Sequence, residues 1–243
     1  MNTFFLDRLN GEPHALAFAG QSTPWPVALA DQSANPMLSE ALHAHVDAAQ
    51  ALLYPVAADL LATTGRPVDL FGFEPNPARL GAAAAASASV PGIALAQLGA
   101  LLDATSLGYN PAVAKPVAVL GHSQGVLAVH MVQAIVEAGS VEAASAQIDE
   151  ILAIATLIGV AGTRQARQLG LAARHGEATP MLSVKDITRA QVDALIERVS
   201  GARGPIAVAV TNSATHYVLS GYPEDLAAFG VEVAKEHKHQ AKL

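Results

Sequence analysis

A short apolar run, Pro116-Val117-Ala118-Val119-Leu120, stops at Gly121-His122-Ser123-Gln124-Gly125 and gives way to a stretch of helical character from Gly125 to Glu137. Buried strand, tight turn, helix is the local pattern of an α/β fold. The pentapeptide has the form G-x-S-x-G, and its place between strand and helix is the one that this form requires. There the turn exposes the serine hydroxyl, and the flanking glycines let backbone approach closely. The helix N-terminus adds N–H groups and partial positive charge beside it. Ser123 is the candidate nucleophile; the plainer alternative is a glycine-rich turn with a capping serine.

Composition narrows the chemistry. No cysteine occurs among the 243 residues, so disulfides, thiol nucleophiles and thiolate metal sites are excluded. Covalent chemistry falls to Ser, Thr, Lys, His or a carboxylate, and the lack of cysteine fits a cytoplasmic chain. With 51% hydrophobic and 14% charged residues, the chain can bury a large core. The 14 Lys and Arg stand against 21 Asp and Glu, for a net charge of −7, and form no basic run for nucleic acid. Mean hydropathy is +0.33. Two uncharged stretches, Leu80 to Leu102 and Val117 to Val136, therefore need testing as membrane spans. Pro91, Gly92 and Gln97 break the first, and His122, Ser123, Gln124 and His130 break the second, so no membrane is expected. Asp7, Arg8, Glu12 and Pro13 interrupt any apolar run at the N-terminus, so no secretory leader is expected. Nothing marks a metal or a permanently bound cofactor.

Along the chain, Ala15-Leu-Ala-Phe-Ala19 reads as a buried strand that stops at Gly20-Gln21-Ser22-Thr23-Pro24. Leu38 to Leu61 and Ile93 to Leu102 read as helices, with an irregular, proline-containing stretch from Thr64 to Arg79 between them. The alanine run Ala82 to Ala86 reads as the start of a tightly packed or solvent-side helix. The last third changes character. Met181 to Val184 predicts a strand, and Thr188 with Gln191 forms a capping box ahead of Val192, Leu195, Ile196 and Val199 at helical spacing. Ile206 to Val210 and His216 to Leu219 predict two more strands, and Pro223-Glu224-Asp225 opens a final helix. That order is β-α-β-β-α, one strand short of a ferredoxin-like unit. The expectation is an α/β protein with a large, α/β-hydrolase-like subdomain over 1–178, built on a parallel sheet. A small ferredoxin-like subdomain would cover 179–243 and stop before its last strand, as in a piece of a longer polypeptide.

The wider pattern resembles the acyl-CoA:acyl-carrier-protein transacylase family. The resemblance rests on Gly20-Gln21-Ser22 after the first strand, on Gly121-His122-Ser123-Gln124-Gly125, and on Asn212-Ser213 followed by Val218-Leu219-Ser220-Gly221. The Gly-His-Ser-Gln-Gly spelling and the long interval to Ile158-Gly159 look most like the acetyltransferase domain of type I multienzyme fatty acid synthases. The resemblance implies that Ser123 takes an acetyl group from acetyl-CoA as an ester and passes it to the phosphopantetheine thiol of an acyl carrier protein. Coenzyme A thioester is then a substrate, and the other domains of a synthase are partners. The backbone N–H groups of Gln21 and Gln124 would form the oxyanion hole. His122 would be a neighbour of the nucleophile rather than its base.

The base is the difficulty. In this family the catalytic histidine lies in a Pro-Phe-His-Ser-like or Pro-Tyr-His-Ser-like segment, which these residues do not contain. After Ser123 the histidines are His130, expected to pack within the helix, His175 in a polar loop, His216 on a hairpin strand, and His237 and His239 in a charged helix end. The resemblance therefore leaves the base unassigned and implies impaired activity. Malonyl-specific relatives carry an arginine that grips the free carboxylate. Ile158 stands at the matching place and implies a pocket for an uncharged acyl group, although a shift of six residues would put Arg164 there. Asn212 is a second candidate for the pocket, and Met131 and Met181 are expected in the core. Two other readings remain: a serine hydrolase or thioesterase, and a non-catalytic structural piece of a large assembly.

Overall fold

The computed structural model describes residues 8–20, 24–53, 86–168, 181–200, 205–236 and 241–242. The described residues divide into two units, Met1–Gln165 and Ala166–Leu243. The expected boundary after residue 178 is thus corrected to Gln165. The cause is a helix from Ser145 to Gln168, unmarked in the sequence reading, whose main length belongs to the first unit.

In the first unit, β1 (Ala15–Phe18) and β2 (Ala118–Gly121) pair in parallel, with Ala15 opposite Ala118 and Phe18 opposite Gly121. The described helices there are α1 (Trp25–Ser33), α2 (Pro36–Leu53), α3 (Ala86–Ser106), the short α4 (Pro111–Ala114), α5 (Val126–Ala138) and α6 (Ser145–Gln168). The anticipated Thr64 to Arg79 stretch and residues 54–61 of the helix anticipated over Leu38 to Leu61 lie outside the described residues.

Helix α3 accounts for the first uncharged stretch. Every residue from Ser89 to Gly99 is buried, so the segment needs no polar face. Pro91 lies inside α3, near its N-terminal end. At Gly92 the backbone meets the Trp25 indole of α1, where an added Cβ would fall 2.5 Å from the ring. Leu42 and Val46 of α2, Met131 and Ile135 of α5, and Ile148 and Leu152 of α6 complete this core with α3. By length and composition alone, Ser145–Gln165 of α6 is apolar enough to cross a membrane. Its Ile148, Leu152 and Ala155 instead belong to the core cluster. A largely buried pair ties α2 to α6, with His45 Nδ1 2.6 Å from Asp149 Oδ1.

The second unit is an antiparallel sheet in the order β4-β5-β3-β6, formed by β3 (Met181–Lys185), β4 (Ala207–Ser213), β5 (His216–Ser220) and β6 (Ala241–Lys242). Helices α7 (Arg189–Val199) and α8 (Pro223–Glu236) complete it. The anticipated capping box is present: Thr188 accepts from the Gln191 N–H, and the Gln191 side chain accepts from the Thr188 N–H. Leu182, Val184, Leu219, Phe229 and Val233 fill the core between sheet and helices.

The expectation that the chain stops before a fourth strand is corrected. Ala241 and Lys242 pair antiparallel with Val184 and Ser183, giving the order β-α-β-β-α-β. Two residues with no hydrophobic alternation of their own leave no strand signal in sequence; the β3 edge selects them.

Phe229 is fully buried in this second core. Phe229→Ala is expected to cost about 3–5 kcal/mol. Hydrogen exchange should then accelerate across β3, β5 and α8, and unchanged exchange there would refute the assignment of Phe229 to this core.

Candidate active site

The parallel ladder of β1 and β2 runs out at the G-x-S-x-G segment. The His122 N–H donates to the Phe18 carbonyl at 2.9 Å, and the Gly125 N–H donates back to the His122 carbonyl at 2.9 Å. Between them the chain makes one 3-10 turn, Ser123–Gly125, and continues directly into α5. The turn reverses direction within three residues because Ser123 adopts a left-handed conformation, φ +54°. For an L-residue with a Cβ this costs about 1–2 kcal/mol. Ser123 is exposed at the apex of the turn, beside the N-terminus of α5.

Two close approaches make that geometry specific. A Cβ at Gly125 would collide with the Phe18 carbonyl oxygen and lie 2.8 Å from its carbon, so a side chain here would push the turn off β1. A Cβ at Gly20 would lie 2.8 Å from both the His122 carbonyl oxygen and the Ser123 Cβ. Gly20 is therefore packed backbone-first against the serine, although about a hundred residues separate them in sequence.

Of the two residues expected to supply oxyanion-hole N–H groups, Gln124 follows Ser123 in the turn, and its side-chain Oε1 is buried with no hydrogen-bond partner. Gln21 lies outside the described residues. His122 is exposed, with an extended backbone at φ −97°. His130 was expected to pack within the helix and is instead exposed on α5, because the buried positions there are Ala128, Met131, Val132 and Ile135. His175, His237 and His239 lie outside the described residues.

Ile158 lies on α6 and is 50% exposed, in an apolar patch with Ile154 and Leu157. Arg164, also exposed, follows six residues later on the same helix, about 120° around its axis, so the two alternatives occupy different faces. In the second unit, Asn212 is on exposed β4. His216 on β5 faces it, with Asn212 Nδ2 3.4 Å from His216 Nε2, and Ser183 Oγ lies 3.0 Å from the same nitrogen. Met131 is fully buried, and Met181 is half-buried at the start of β3. No cluster of His or acidic residues suited to a metal occurs among the described residues.

One residue of this site escaped the sequence reading. Gln97, in the buried middle of α3, donates from Nε2 to the Ala19 carbonyl at 2.5 Å, directly before Gly20. A lone glutamine deep in the uncharged, apolar stretch from Leu80 to Leu102 is the signal in the sequence.

A parallel strand pair that leads through a strained serine turn into a helix places the first unit among α/β proteins, and solved structures of transacylases share the fold. The malonyl CoA-acyl carrier protein transacylase from Coxiella burnetii superposes with a TM-score of 0.58 at 19% identity, over 95% of this chain and 60% of that one. The corresponding enzyme from Clostridium perfringens gives 0.53 at 17% identity, over 93% and 58%. The chain belongs to the family described as starter unit:ACP transacylase in aflatoxin biosynthesis, whose profile matches residues 78–243. It is also 31% identical, over 128 residues, to the fatty acid synthase beta subunit hexB of Dothistroma septosporum (strain NZE10 / CBS 128990). That match takes in 47% of this chain and 7% of the relative, so the chain spans a small part of that subunit.

The strain at Ser123 yields a direct expectation. Ser123→Gly relieves the left-handed conformation and should stabilise the protein by about 1 kcal/mol, or roughly 2–4 °C in Tm. Ser123→Ala, which keeps the Cβ, should not. Equal melting temperatures for the two variants would contradict a strained turn.

Proposed function

We propose that the chain is a serine acyltransferase that moves an acetyl starter group from acetyl-CoA to an acyl carrier protein in fatty acid synthesis. The observation that carries this reading is Ser123 at φ +54° in a Gly-His-Ser-Gln-Gly turn, in a chain of the transacylase family. In the first half-reaction the Ser123 Oγ attacks the thioester carbonyl. The C–S bond breaks, the hydroxyl proton passes to a base, and coenzyme A leaves as the thiol. In the second, the carrier's phosphopantetheine thiol attacks the ester carbonyl, the acyl C–O bond to Ser123 breaks, and the thiol proton returns to the Ser123 Oγ. The backbone N–H groups of Gln124 and Gln21 would stabilise the oxyanion in both. The packing of Gly20 against Ser123 supports bringing the Gly20-Gln21 loop to the same site.

We assign no general base. No Pro-aromatic-His-Ser segment occurs in these 243 residues, so acyl uptake by this chain is expected to be slow. The small unit, with its β-α-β-β-α-β order, is read as ferredoxin-like, and the other domains of a fatty acid synthase as partners. The apolar, exposed Ile158 favours an uncharged acyl group over malonyl.

Incubation with radiolabelled acetyl-CoA should label the chain slowly at Ser123, and Ser123→Ala should abolish the label. Label that persists in Ser123→Ala, or release of free acetate without transfer to a carrier protein, would overturn the transferase reading. Ile158→Arg should shift labelling from acetyl-CoA toward malonyl-CoA by tenfold or more; an unchanged ratio removes Ile158 from the acyl pocket.

A further inference from the structure

Gln97 stands out within α3. Its neighbours Ile93, Leu95 and Leu98 are fully buried and apolar, and Gln97 itself is only 7% exposed. Its Nε2 donates to the Ala19 carbonyl, while its Oε1 is buried with no hydrogen-bond partner. A buried acceptor left unpaired is destabilising, a penalty that an apolar side chain of similar length would not incur. Packing of α3 therefore does not explain the amide.

Its partner does. β1 ends at Phe18, so Ala19 lies past the last ladder residue. Ala19 sits between Phe18, whose carbonyl holds the His122 N–H, and Gly20, which lies against Ser123. Helix α3 also packs against the Ser123–Gly125 turn itself. A single side chain thus holds the strand end where the chain leaves the sheet and enters the site.

We infer that Gln97 is a positioning residue: it clamps the Ala19 carbonyl and so fixes the Gly20 backbone against Ser123. It acts through Gly20 and not on the substrate. Its effect on turnover rests on Ser123 being the acyl carrier, whereas the clamp itself does not, and the two are tested separately.

The first measurement is hydrogen exchange in Gln97→Met, which keeps the side-chain length and removes the donor, and in Gln97→Asn, which keeps the amide but is one methylene too short to reach Ala19. Both variants should fold and show exchange at least tenfold faster in peptides covering residues 15–22, with α5 unchanged. Unchanged exchange there overturns the clamp. Loss of the fold in both variants also overturns it, because Gln97 would then be structural. The second measurement is acetyl labelling of Ser123, which should slow by about tenfold to a hundredfold with the KM for acetyl-CoA unchanged. Labelling as fast as in the unsubstituted chain overturns the link from clamp to site. If the unsubstituted chain takes up no acetyl group, the acyl-carrier reading fails, and the exchange result alone decides Gln97.

Discussion

Everything in the first unit that bears on chemistry depends on how closely the end of β2 can approach β1. The Phe18 carbonyl accepts the His122 N–H, and the Gly125 backbone lies against that same carbonyl with no room for a Cβ. A parallel ladder ordinarily ends in a loop that drifts away from the sheet. Here the chain turns within three residues and starts α5 over the strand ends. The N-terminus of a helix, with its free N–H groups, therefore sits beside an exposed hydroxyl. Without that approach the serine would be an ordinary capping residue.

The same closeness carries costs. Ser123 is held in a conformation that side-chain-bearing residues avoid, and Gln124 and Gln97 each keep a buried oxygen unpaired. Each feature opposes stability locally, and the core of Leu42, Leu98, Met131, Ile135 and Ile148 offsets them. The strain persists because the turn is fixed from both sides, by β1 and by α3.

The elements that proved readable from sequence are those whose signal is local. The strand at Ala15–Phe18, the Gly-His-Ser-Gln-Gly turn and the capping box at Thr188 each rest on residue types a few positions apart, and each is in the structure at its expected place, although the strand, expected to be buried, alternates exposed and half-buried residues. Features that depend on distant partners were missed or misjudged. Helix α6 went unmarked, and the unit boundary moved with it. His130 was expected inside and lies outside, since a single histidine does not report which face of α5 meets the core. β6 carries no alternation of its own and forms because β3 has an open edge. Gln97 was read only as an interruption of an apolar run, because its partner at Ala19 is 78 residues away.

By itself, the sequence determined where a strand-turn-helix of the form G-x-S-x-G lies, and so which residue, Ser123, is the candidate nucleophile. It also determined the local order of the second unit up to α8. Only the tertiary structure decided that Gly20 abuts Ser123 and that Gln97 holds the carbonyl just before it. Those relations join residues some 78 to 103 positions apart, and they exist only once β1, β2 and α3 have packed together. Spacing along the chain sets which groups are available, whereas the distance between them is set by what the core allows to approach.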